Sequence, residues 1–118
     1  MTIKRILVPT RIPSALRIYL KAYAKQHRDT LESSCETMLF LFLQQAPWRQ
    51  GLRWRAPLTT HSDAGESQGW RQFNLPVTVE LAARLESQAN QLDISRSSVT
   101  YTGLFWFAKY ICPPVTPL

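Results

Sequence analysis

The sequence predicts a mainly α fold built on a two-stranded antiparallel β-ribbon, with a strand-helix-helix unit occurring twice in one 118-residue chain. Three observations predict it. Two short segments, "ILVPTRIP" at 6–13 and "RQFNLP" at 71–76, alternate in polarity and end on an apolar residue and proline, the two-residue period of a half-buried strand. An amphipathic helical pattern follows each. After a polar break, each helix is followed by a segment apolar nearly all round, which is stable only when covered on several sides.

The first strand places Ile6, Val8 and Ile12 on one face and Leu7, Pro9 and Arg11 on the other. Proline donates no ladder hydrogen bond, so Pro9 demands a non-hydrogen-bonded, outward position, which a two-stranded ribbon supplies. Residues 14–30 read as a helix with Leu16, Tyr19, Leu20, Tyr23 and His27 on its apolar stripe and Arg17, Lys21, Lys25 and Arg28 on another face. In the break "DTLESS", Thr30 and Ser33 are both candidate N-caps, and Ser33 with Glu36 has capping-box spacing. The apolar helix "CETMLFLFLQQ" follows.

In the second strand, Phe73 and Leu75 face the core, while Gln72 and Asn74 face outward with Arg11. The next helix puts Leu81, Ala82, Leu85, Ala89 and Leu92 on its apolar side. Ser95 is its successor's natural cap in "DISRSS", and "VTYTGLFWFAKYI" is expected to be core through its "GLFWFAKYI" end. Matching Pro13 to Pro76 sets the two units 63 residues apart. One strand alone is unstable in water, so the two strands are expected to pair.

This organises residues 1–118 as a single domain: a first unit at 4–45, a linker at 46–69, a second unit at 70–111 and an extended tail at 112–118. The linker shows no period. Trp48 and Trp54 are expected to pack on the domain, and "THSDAGESQG" to be flexible.

Net charge is +6, concentrated in residues 1–55, which hold ten Lys and Arg against three Asp and Glu. An anionic partner follows naturally from that imbalance. The two cysteines, Cys35 and Cys112, are too few for a disulfide scaffold and read as buried thiols. His27 and His61 have no metal-ligand partners at suitable spacing. There are only four glycines, no phosphate-cradling glycine loop, and no nucleophile beside a His and an acid, so neither an enzyme nor a cofactor is expected. The start carries no long apolar stretch, and the longest apolar run, "MLFLFL", is far too short to span a bilayer. A cytoplasmic protein without membrane attachment is expected.

The order of elements resembles the ribbon-helix-helix family, which includes the Arc and Met repressors. The second half carries the resemblance best, through "RQFNLP", "ARLESQANQLD" and "ISRSS". The first carries it through "TRIP" and the helix behind it. In that family two chains pair their strands, and the ribbon enters the DNA major groove. The resemblance therefore implies a single-chain pseudo-dimer, a monomer open to further dimerisation on DNA. It implies that Arg11, Gln72 and Asn74 read base edges and that Arg5, Ser33, Ser34, Ser95, Arg96 and Ser97 hold phosphates, with Arg49, Arg53 and Arg55 as linker contacts. Tandem chains of this kind occur among accessory proteins of bacterial conjugation and Agrobacterium T-DNA transfer. Double-stranded DNA is the implied partner, with relaxosome or type IV secretion proteins beside it, in DNA transfer or local transcriptional repression. The alternatives are a protein-interaction module that recruits a relaxase or secretion component, and an antitoxin-like repressor.

Overall fold

The computed structural model describes residues 4–58 and 69–114. Strand β1 (Arg5–Ile12) leads into helices α1 (Ser14–Gln26) and α2 (Leu31–Gln45) and a 3₁₀ turn at Pro47–Gln50; β2 (Arg71–Thr78) leads into α3 (Val79–Leu92), α4 (Arg96–Trp106) and a π turn at Phe107–Ile111. The fold is mainly helical, with β1 and β2 forming one antiparallel two-stranded sheet.

The register places Val8 opposite Leu75 and Thr10 opposite Phe73 on the inner face, and Leu7 opposite Pro76, Pro9 opposite Asn74 and Arg11 opposite Gln72 on the outer face. Val8, Thr10, Ile12, Phe73, Leu75 and Val77 are all buried. Ile6, expected with them, lies near the ribbon's end and is 38% exposed. Antiparallel pairs alternate between hydrogen-bonded and non-hydrogen-bonded kinds. Both Pro9 and Pro76 fall in outward pairs, so neither proline's missing N–H interrupts the ladder. That is why β2 runs through Pro76 to Thr78 rather than ending at the proline, whereas Pro13 follows β1 and stands at the N-cap position of α1.

Helix α1 buries Leu16, Leu20 and Ala24. It ends four residues short of the expected Thr30, because Arg28 turns left-handed at φ 53° and the Asp29 N–H donates back to the Ala24 carbonyl at 2.9 Å. His27 thereby leaves the apolar stripe; it is exposed and stacks on Tyr23 at 4.0 Å. Thr30 caps α2, accepting from the Ser33 N–H at 3.1 Å. The Ser33–Glu36 capping box does not form, since the helix starts before it. Glu36 instead accepts from the Thr78 N–H at 3.0 Å and pairs with Arg5 at 3.2 Å.

Thr78 caps α3 and Ser95 caps α4, each accepting from the N–H three residues on. Leu81, Ala82, Leu85 and Ala89 are buried, while Leu92 is 37% exposed. Helices α2 and α4 meet at the centre of the core. Gly103 permits the approach: a Cβ there would lie 2.8 Å from Leu39 Cδ2 and 2.9 Å from Phe42 Cδ2. Along "GLFWFAKYI" the core ends near Phe107 and Ala108. Lys109, Tyr110 and Ile111 are exposed, because the π turn leaves the bundle.

Trp48 and Trp54 pack on the domain, as expected. After Ala46 turns left-handed at φ 47°, Trp48 and Trp54 lie 5.1 and 5.8 Å from Phe42 and 5.1 Å from each other. Aromatic contact of this kind outweighs the lack of secondary-structure period in fixing residues 46–58. Residues 59–68, which include His61, and the tail's 115–118 lie outside the described residues. Among the described residues no helix is long and apolar enough to cross a membrane.

Candidate nucleic-acid interface

Strand alternation fixes which side chains the ribbon turns outward. Leu7, Pro9, Gln72 and Asn74 are exposed on that face. Two residues apart on one strand, Gln72 and Asn74 point the same way, and Gln72 Nε2 donates to Asn74 Oδ1 at 3.0 Å. That bond leaves the Gln72 carbonyl oxygen and the Asn74 amide N–H groups for a partner: an acceptor and donors presented side by side. Arg71, exposed at the strand's start, stands opposite Ile12, on the parity of Phe73 rather than of Gln72 and Asn74. Its only signal in the sequence is its position, one residue ahead of Gln72.

Arg11 is placed otherwise than expected. Its Nε donates to the Leu58 carbonyl and its Nη2 to the Trp70 carbonyl, both at 2.9 Å. The guanidinium is partly buried and joins the two chain segments that flank 59–68, because two main-chain carbonyls converge within reach of one planar fork. It does not stand free beside Gln72.

The helix N-termini expected to hold phosphate differ. At α2, Asp29 accepts from the Thr30 N–H at 2.8 Å and from the Ser34 hydroxyl at 3.2 Å, and Glu32 stands in the first turn. Ser34 is buried, and Ser33 gives its N–H to Thr30. Carboxylates already occupy the positive end of this helix dipole and repel a second anion. At α4 the first turn holds no acid. Ser95 is exposed, and Arg96 sits with Glu86 at 3.5 Å. Ser97 is turned inward instead, its hydroxyl 2.9 Å from that of buried Thr10. Arg5 is held at the ribbon's other end by Glu36. Of the six phosphate candidates, Ser95 and Arg96 stand at an open helix N-terminus.

In the linker, Arg49 and Arg53 are exposed. Arg55 places its Cζ over the Phe105 ring, 4.0 Å from the centroid, and its main chain brackets Thr102, whose hydroxyl accepts from Arg55 N–H at 3.0 Å and donates to the Arg55 carbonyl at 3.2 Å. Both cysteines are free thiols. Cys35 is buried, as expected, and burial pushes its thiol up to about 12. Cys112 is exposed, contrary to expectation, because the chain has left the core by the end of the π turn. No group of three or more His, Cys, Asp or Glu side chains able to hold a metal occurs among the described residues.

Comparison with known proteins returns no match: no family model, no curated protein and no solved structure corresponds to this chain.

Proposed function

We propose that the chain is an intramolecular counterpart of a ribbon-helix-helix dimer and binds double-stranded DNA with β1 and β2 in the major groove. The observation that carries this reading is the ribbon itself. Two strands far apart in sequence pair through their inner face onto a helical core, and the opposite face presents Gln72 and Asn74 to solvent. A two-stranded ribbon fits the major groove, and Asn and Gln side chains pair with adenine edges there.

The tandem reading has its own support. Landmarks recur 65 residues apart: the N-cap positions Pro13 and Thr78, the left-handed residues Arg28 and Asp93 at φ 53° and 54°, and the capping residues Thr30 and Ser95. Buried Leu20 and Leu85 keep the same interval. Pro9 and Asn74 are also 65 residues apart, and they face each other across the ribbon. Exchange of the two units therefore maps the ribbon onto itself about that pair, as a dimer's twofold axis would. The interval is 65 rather than 63 because Pro76 lies inside its strand.

The roles follow. Gln72 and Asn74 read bases; Ser95, Arg96, Arg49, Arg53 and Arg71 face phosphates; Arg11 holds the connection between the units. A transfer accessory factor or a local repressor is the setting this reading favours, with relaxosome or secretion proteins as further partners. The test is fluorescence anisotropy on duplexes selected from a random pool. Binding should weaken steeply with salt, and the log–log slope should fall by about 0.9 for each phosphate that a variant no longer neutralises. Gln72→Ala and Asn74→Ala should each lose about 1–3 kcal/mol of discrimination at one base pair while keeping non-specific affinity. Absence of salt-dependent duplex binding would sink the proposal.

A further inference from the structure

The outer face of the ribbon is not uniform along its length. At one end Leu7 stands opposite Pro76, with Pro9 next on its strand; at the other Arg11 stands opposite Gln72, with Asn74 beside it. Leu7 is 60% exposed and Pro9 is exposed. None of Leu7, Pro9 and Pro76 carries a side-chain donor or acceptor. Around Leu7, Pro9 and Pro76 a groove meets methyl and methylene groups, and the one cation beside them, Arg5, is held by Glu36 and the Pro76 carbonyl. The major groove offers a single apolar feature, the C5-methyl of thymine.

We propose that Leu7 is a specificity-determining residue that reads thymine methyl groups, so that the site is thymine-dependent at one end and read by amide hydrogen bonds at the other. This rests on the DNA-binding reading above. Leu7 and Arg11 are four residues apart, about 13 Å along a strand, which spans roughly four base pairs at 3.4 Å each. The two ends of the face therefore meet different base pairs. Under the 65-residue interval the counterpart of Leu7 is Gln72, so a position that hydrogen-bonds in one unit is apolar in the other. The asymmetry of the site follows from that substitution of chemistry at one equivalent position.

Replacement of thymine by deoxyuridine removes the methyl group and leaves every hydrogen-bonding edge intact. A duplex selected by the wild-type chain is remade with single deoxyuridine substitutions, and affinity is measured for wild type and Leu7→Ala. The expected result is a loss of about fourfold for wild type at one or two thymines confined to one end of the site, the worth of one buried methyl. Leu7→Ala should bind the thymine duplex about fourfold more weakly and show no further loss with deoxyuridine. Leu7 is solvent-facing, so its truncation leaves the core intact, which an unchanged circular dichroism melt verifies. Duplex binding that is indifferent to deoxyuridine at every position overturns the inference while leaving the DNA-binding reading standing. So does a Leu7→Ala chain that keeps the wild-type methyl preference. A chain that selects no duplex at all overturns both.

Discussion

Two junctions of the molecule each join the start of a strand to the sixth residue of a helix, and they are closed by opposite chemistry. Where β1 begins, Arg5 pairs with Glu36, the sixth residue of α2, at 3.2 Å. Just before β2, Trp70 meets Tyr101, the sixth residue of α4, edge-to-face at 5.1 Å. The first junction is partly exposed: the Arg5 and Glu36 side chains are 33% and 13% exposed. The second lies under the linker, where Arg55 runs against Thr102 and Tyr101 is only 4% exposed. An ion pair moved beneath that cover would lose its hydration faster than the mutual attraction could compensate. An aromatic pair gains from the same burial. The frame of strand against helix tolerates either solution; the local water decides which one stabilises.

The largest expected effect tests that contrast directly. Tyr101→Ala should destabilise the fold by about 3–5 kcal/mol, as truncation of a buried aromatic does. Glu36→Gln keeps an acceptor for the Thr78 N–H and should cost about 0.2–1 kcal/mol, the range of partly exposed ion pairs. Urea unfolding of the two variants measures both. Equal losses would break the comparison and mean that the two junctions are equally dry.

A smaller effect should appear in alkali. Burial pushes Cys35 up to about 12 from an ordinary 9.0, and pushes Tyr19, Tyr23 and Tyr101 above their ordinary 10.0. The unfolded chain then releases protons that the folded chain keeps, so stability is full below about pH 9 and falls as pH rises beyond it. At the interval of 65 residues, Cys35 corresponds to Thr100, which is equally buried but gives its hydroxyl proton to the Arg96 carbonyl at 2.9 Å. Cys35→Thr, which copies the second segment into the first, should make the pH 9–10 part of the decline shallower, with the tyrosine part unchanged. Denaturation midpoints across that range check it; an identical pH profile for wild type and variant would remove Cys35 from the cause.

The smallest effect concerns the two helix N-termini. Asp29→Asn removes one of the two carboxylates at the start of α2, Glu32 remaining, and brings that end closer to the acid-free first turn of α4. Duplex affinity should rise by roughly 0.3–1 kcal/mol at low salt, the scale of a charge at a helix end, and the gain should shrink as salt rises. A gain that persists in high salt would point to a structural rearrangement rather than to electrostatics.

Period and punctuation carried most of the architecture. Alternation in "RQFNLP" put Gln72 and Asn74 outward, the 3.6-residue period placed Leu16, Leu20, Leu81 and Leu85 in the core, and Ser95 announced its own cap; each depends on neighbours a few residues away, which a chain displays along its length. The pairing of β1 with β2 was legible for a related reason, since an isolated strand has no other stable fate. What only the tertiary structure decided depends on groups brought together from afar. Arg11 faces outward by alternation, yet two carbonyls at Leu58 and Trp70 converge on it. Glu36 has capping-box spacing, yet it serves Arg5 and Thr78 across the fold. Trp48 and Trp54 are expected to pack on the domain, but that Phe42 is their surface comes from the fold. A side chain's direction follows from local geometry, whereas its hydrogen-bond partner is whatever the packed core delivers to within about 3 Å of it.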